Sequence, residues 1–278
     1  MNKTKIWLVV AVLLILIGSV AFGGVMMKLK WDFTALSTTK YETNTTLTET
    51  DYKNISIITD TADIEFILSD ESKVVCYERV NEKHVVEVKD GTLFIKLTDE
   101  RKWYEYIGIN FESTKITVYL PKSEYGNVSV ETSTGNITLG DISAESLDLA
   151  VSTGKVAVNN VTCKDDVNVE VSTGRTNITN LACKNLTTKG STGGVNLKNT
   201  VATEKFSIER STGDVKFDGC DAKEITVKTD TGSITGTLLT EKVFVAHTDT
   251  GKISVPNTTS GGRCELTTDT GNIKITII

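Results

Sequence analysis

Apolar and polar residues alternate with a period of two along most of this chain, and the alternating runs themselves recur. Ile137 and Leu139 flank polar Thr138, and the same spacing returns as Val156/Val158, Val195/Leu197, Val215/Phe217, Ile253/Val255 and Ile273/Ile275. Period two predicts short strands with one buried face. A second set of runs, Leu147/Leu149/Val151, Val167/Val169/Val171, Ile225/Val227 and Val243/Val245, predicts a second inward-facing strand in each repeat. Short polar links such as Gly140-Asp141 and Asn159-Asn160 separate the two runs.

One tripeptide punctuates the pattern. Ser133-Thr134-Gly135 returns with glycines at Gly154, Gly174, Gly193 and Gly213, and then with aspartate replacing serine at Gly232, Gly251 and Gly271. The glycine-to-glycine steps are 19, 20, 19, 20, 19, 19 and 20 residues. So regular a period is the mark of a repeat architecture. Glycine takes the positive φ of a tight bend without steric cost, and the Ser or Asp two places earlier can hydrogen-bond the bend's own backbone. Neither strand of a repeat can bury its apolar side alone, so successive turns must stack. The expected fold is all-β: a single-stranded parallel β-solenoid of 19–20 residues per turn over 131–278, right-handed by the general bias of parallel crossovers.

The segment before the repeats is less regular. Ile6 to Met27 is 22 residues without a charge, enough to cross a bilayer as a helix. Residues 1–30 are therefore expected to be a membrane anchor, or else a signal segment with Ser19-Val20-Ala21 as its processing site. Residues 31–51, rich in Thr and Asn, read as a juxtamembrane linker. Residues 52–130 read as irregular N-terminal turns of the same solenoid. Within them Thr59-Asp60-Thr61-Ala62-Asp63 looks like a degenerate bend, and Asp90-Gly91 between alternating runs signals a hairpin. The chain stops on Ile273-Lys274-Ile275-Thr276-Ile277-Ile278, a strand with nothing after it to cap it. Such an edge invites pairing with a second copy of the chain.

Charge narrows the list of partners. Four of the 30 basic residues, Lys3, Lys5, Lys28 and Lys30, flank the apolar segment, while all 36 acidic residues lie beyond it. An acidic ectodomain is a poor ligand for nucleic acid. Five cysteines, Cys76, Cys163, Cys183, Cys220 and Cys264, lack Cys-x-x-Cys spacing, so no zinc or redox motif is indicated. Cys163 and Cys183 share a column with Ala144, Ala202 and Ala222, which reads as a row of small inward residues or, alternatively, as a disulfide between turns.

Catalytic groupings are scarce. The sequence has no Gly-x-Ser-x-Gly, no phosphate-binding Gly loop and no His-Glu-x-x-His, and its two histidines, His84 and His247, lie far apart. Asp230, Asp249 and Asp269 occupy equivalent bend positions, where each could serve its own bend or the three could share a cation. The Thr column of the bends reads as a structural hydroxyl ladder rather than an ice-binding face. Trp103, Tyr104, Tyr106 and Phe111 form the one aromatic cluster, which is either a plug over the N-terminal turns or a contact patch for a partner. No cofactor, metal ligand or catalytic residue is indicated.

Three features resemble the putative-adhesin domain family of bacterial envelope proteins, which includes the LiaG-like proteins. They are Asp63-Ile64-Glu65-Phe66 with Ser69 to Val74, then Ile116-Thr117-Val118-Tyr119-Leu120-Pro121 leading to Val128-Ser129-Val130, and the run of Ser/Asp-Thr-Gly bends. Together they span roughly residues 50–278. The resemblance implies a membrane-anchored β-solenoid facing outward from a bacterial cell, in some members linked to envelope-stress systems, and it carries no catalytic residues. The expected function is a non-catalytic structural or protein-interaction module of the cell envelope, bound to the bilayer through residues 6–27. The alternative is a carbohydrate-binding or carbohydrate-active protein on the same scaffold.

Overall fold

The computed structural model describes residues 3–36, 40–99, 112–121 and 123–278. They fall into two compact units, Met1–Tyr41 with Arg101–Ser113, and Glu42–Glu100 with Thr114–Ile278.

The first unit carries the helix Lys3–Lys28. Its segment Lys5–Lys28 is long and apolar enough to cross a membrane, by length and composition. Leu8, Leu14, Ile15, Ile17 and Met27 stand exposed on it, as lipid-facing or signal residues would.

The second unit is a β-solenoid of about seven turns. Successive turns pair in parallel, and the register sets like residues above like. One inward column runs Ile55, Val128, Leu147, Val167, Leu186, Phe206, Ile225, Cys264 and Phe244. A second runs Ile64, Ile137, Val156, Thr176, Val195, Val215, Ile234 and Ile273. Neighbours in a column are about 4.8 Å apart, so alternation along each strand becomes a continuous core along the stack. Phe206 and Phe217, from the two facing walls, stack with ring centroids 6.4 Å apart.

Two corners hold each turn. At the first, seven of the eight repeat glycines have φ between 122° and 156°, with Gly251 the exception. A Cβ on Gly174 would lie 1.6 Å from the Gly154 carbonyl oxygen, so any side chain there collides with the backbone of the next turn. The degenerate bend takes its expected place, because Thr61 pairs with Thr134 and the Ala62 N–H donates to Thr134 O. At the second corner Asp141, Asn160, Asn180 and Asn199 all adopt left-handed φ of 46–58°, and Gly219 follows at 63°. Their side chains form a ladder: Asn160 donates to Asp141, Asn180 to Asn160 and Asn199 to Asn180, at 2.7–3.0 Å. Asn tolerates the left-handed region better than other side chains, and here its amide also ties adjacent turns together. Ala144, Cys163, Cys183, Ala202 and Ala222 form the buried column of small residues, with every cysteine a free thiol.

The ends depart from the sequence reading. The last strand is not the open end. Thr231 pairs with Thr270, and Thr270 pairs with Thr250. Ile273–Ile277 lies between Ile234–Leu238 and Ile253–Ser254. The chain thus skips one level, builds the turn 242–254, and returns through 255–261 to fill the gap with its final turn. The outermost strand is Lys242–Thr250, and its parity is also opposite to expectation. Val243 and Val245 are exposed, whereas Phe244 and Ala246 face the core. Lys242 is buried too and pairs with Asp221 at 2.6 Å, on the same even-numbered inward face as Phe244, which stands over Cys264. Ile253, expected inward, is also exposed on this terminal turn.

At the other end, Thr92–Asp99 and Lys115–Leu120 continue the parallel stack onto Asn54–Thr61 and Asp63–Leu68. The segment 73–89 then runs antiparallel across both. A two-residue turn, Asp90 at φ 50° and Gly91 at φ 70°, makes the reversal, since a parallel return needs a long crossover. Tyr41–Leu47, read above as linker, is instead a strand on Lys73–Arg79. Its Thr-rich alternation suits an edge strand, where polar side chains face water.

Candidate functional site

The most concentrated chemistry lies under the antiparallel segment. The strand Lys73–Arg79 turns Val74, Cys76 and Glu78 to one buried face. Glu82–Lys89, joined to it by a tight turn, brings in His84. The side chains of Glu78 and His84 are 2% and 1% exposed, and Cys76 is 2% exposed. Glu78 Oε2 accepts from the His84 backbone N–H at 2.7 Å and sits 2.7 Å from His84 Nδ1. Asn44 Nδ2 donates to Glu78 Oε1 at 2.7 Å, and Thr59 Oγ1 lies 2.8 Å from His84 Nε2. Burial pushes the Glu78 carboxyl up, but the hydrogen bonds from His84 and Asn44 outweigh it and hold the group below the usual carboxylate range. The carboxylate is therefore ionised and can only accept, so His84 Nδ1 donates to it. The network joins three elements: the edge strand, the antiparallel cap and the first solenoid turn.

Glu78, His84 and Thr59 stand in an acid–imidazole–hydroxyl order, but Thr59 is only 6% exposed. The chain of hydrogen bonds ties the three elements together across this enclosed space. Sequence reasoning missed this cluster. The signal was available as parity: Cys76 and Glu78 share the inward face of Val74, and only the hairpin geometry adds His84.

A second buried polar group, also missed, is Arg210. It follows Phe206 and Ile208 on the inward face and is 1% exposed. Its guanidinium donates to Val171 O at 2.8 Å and to Thr176 Oγ1 at 2.9 Å, two turns away. Gly190 makes the space, since a Cβ there would lie 1.8 Å from the guanidinium. Burial lowers the Arg210 pKa to about 10.

The residues singled out from sequence distribute differently. Trp103, Tyr104, Tyr106 and Phe111 lie outside the described residues. Asp249 pairs with exposed His247 at 2.9 Å. The order of turns puts Asp269 between Asp230 and Asp249, not last in the row, because Thr270 lies between Thr231 and Thr250. On the outer wall, Ala150 leaves a shallow notch of about 290 Å³ between Glu131 and Glu170, lined also by Asp148, Asn168 and Lys189. Asn168 already donates to Asp148 at 2.9 Å.

The Toastrack DUF4097 family model matches residues 52–167 and again 162–278. The chain belongs to this family. No curated protein matches the chain. Among solved structures, a putative lipid binding protein from Parabacteroides distasonis is similar at 16% identity and TM-score 0.54, over 86% of this chain and 98% of that one. A putative adhesin from Bacteroides fragilis is similar at 17% identity and TM-score 0.46, over 85% of this chain and 97% of that one. A further putative adhesin from Parabacteroides distasonis is similar at 14% identity and TM-score 0.48, over 86% and 98%. The first of these shares the solenoid fold.

Proposed function

We propose that this Toastrack protein is a non-catalytic module of the bacterial cell envelope. The helix anchors it in the cytoplasmic membrane, and the solenoid presents a structural or protein-interaction surface outside, accessory to an envelope-stress response. One observation carries the reading: an apolar helix of membrane-spanning length precedes a solenoid whose acid–imidazole–hydroxyl grouping is sealed inside the fold.

Three measurements, on intact cells, membranes and purified protein, test it. Protease added from outside should reach the solenoid while carbonate washing leaves the chain in the membrane. A solenoid protected in intact cells would sink the outward orientation. Release of the solenoid from the membrane without the helix would sink the anchor. Turnover of wall polymer by the purified chain would overturn the non-catalytic part.

The notch at Glu131, Asp148 and Glu170 favours carbohydrate binding as a second reading, because three carboxylates border one opening. Against catalysis there, the opening is shallow and all three acids stand exposed, where their charge is solvated rather than tuned. Titration of soluble wall fragments into wild type and into Glu131→Gln/Glu170→Gln decides it: binding lost in the variant supports the sugar reading, and no binding to either removes it.

A further inference from the structure

We propose that Cys76, Glu78 and His84 form a site for one divalent transition-metal ion of the zinc class. One sulfur, one oxygen and one nitrogen ligand atom from these residues lie within 4.8 Å of one another. That donor set suits Zn2+, which takes thiolate, imidazole and carboxylate at about 2.0–2.3 Å. The Glu78–His84 pair needs little adjustment. A tetrahedral ion would part Glu78 Oε2 and His84 Nδ1 from 2.7 Å to about 3.3 Å.

The surroundings are those of a held site rather than a chance meeting. Each of two ligands is gripped by its far atom: Asn44 holds Glu78 Oε1, and Thr59 holds His84 Nε2. Such outer partners orient metal ligands and fix the imidazole tautomer. Oε2 and Nδ1 are left converging. The cluster also occupies a place where apolar residues would serve the fold, since Cys76 pairs with Ile116 and the next inward residue is Val74. A buried carboxylate there is costly unless compensated. An ion of charge +2 bound by one thiolate and one carboxylate makes the site neutral.

Proton bookkeeping follows. On binding, Cys76 gives up its thiol proton to solvent. Nδ1 gives up the proton it donates to Glu78, and the neutral ring keeps its proton on Nε2, with Thr59 Oγ1 as the acceptor. Binding therefore weakens as pH falls.

The test uses the full, untagged chain in detergent, with Co2+ as a spectroscopic stand-in for Zn2+. The expected result is one Co2+ per chain, a thiolate-to-cobalt charge-transfer band, and loss of that band on adding Zn2+. Cys76→Ser should abolish the band, and His84→Gln should weaken binding at least tenfold. Wild-type protein that shows no charge-transfer band overturns the proposal, whatever the variants do. A band that persists in folded Cys76→Ser also overturns it, because another of the five cysteines would then be the ligand.

Discussion

Gly271 lies directly against Gly232, although Gly251 stands between them in the chain. Gly232 N–H donates to Thr270 O at 2.9 Å, and a Cβ on Gly271 would lie 2.0 Å from Gly232 O. Apart from the Lys242–Asp221 ion pair, the penultimate turn is thus joined to the body by strand pairing through the last one. Gly271 N–H donates to Thr250 O at 3.0 Å, and Ile273 N–H to Lys252 O at 2.9 Å.

Deleting residues 262–278 should therefore cost two turns, not one. Residues 242–254 would lose their only parallel neighbour at the strand 242–250, and hydrogen exchange there should become as fast as in an unfolded segment. Retained protection at 242–250 in the truncated chain would contradict this order of turns.

The bend glycines differ in what they tolerate. Gly174→Ala meets the Gly154 carbonyl as well as a positive φ, and should destabilise by more than about 2 kcal/mol. Gly91→Ala has open space around it and only its φ of 70° to oppose, which should cost about 1 kcal/mol. Chemical denaturation of both variants checks the ranking, and equal losses would refute the close backbone approach as the cause.

The asparagine ladder separates conformation from hydrogen bonding. Asn180→Ala loses its amide bonds to Asn160 and Asn199 and also strains a φ of 55°, for about 1–2 kcal/mol. Asn180→Gly loses the bonds but keeps the φ, and should retain about 1 kcal/mol of that loss. If thermal melts find the two variants equal, the left-handed φ contributes nothing.

Buried thiols set an alkaline limit. Burial pushes Cys183 and Cys264 up to about 12, from 9.0 when exposed. Folded chains therefore keep these protons at pH values where unfolded chains lose them. Their contribution is complete below pH 9.0 and is lost as pH rises towards about 12. Denaturation curves across that range should show falling stability, with a shallower fall for Cys183→Ala/Cys264→Ala than for wild type. An unchanged slope would rule the thiols out. Alkylation of both cysteines should likewise wait for unfolding.

The repeat itself was legible in the residues. Period-two alternation, a glycine every 19 or 20 positions and an uncharged run from Ile6 to Met27 determine strands, bends and an apolar helix, because each is a local property of the backbone. The small inward column of Ala144, Cys163, Cys183, Ala202 and Ala222 follows from the period alone. Tertiary structure decided which turn meets which. Equivalent strands can pair with any neighbour of the same register, so the local pattern cannot order the turns holding Gly232, Gly251 and Gly271. Parity in the strand 242–250 likewise shows only in its register on 262–270, a pairing across turns. The Cys76, Glu78 and His84 cluster exists only because an antiparallel hairpin folds back over the stack, and no spacing along the chain encodes that closure.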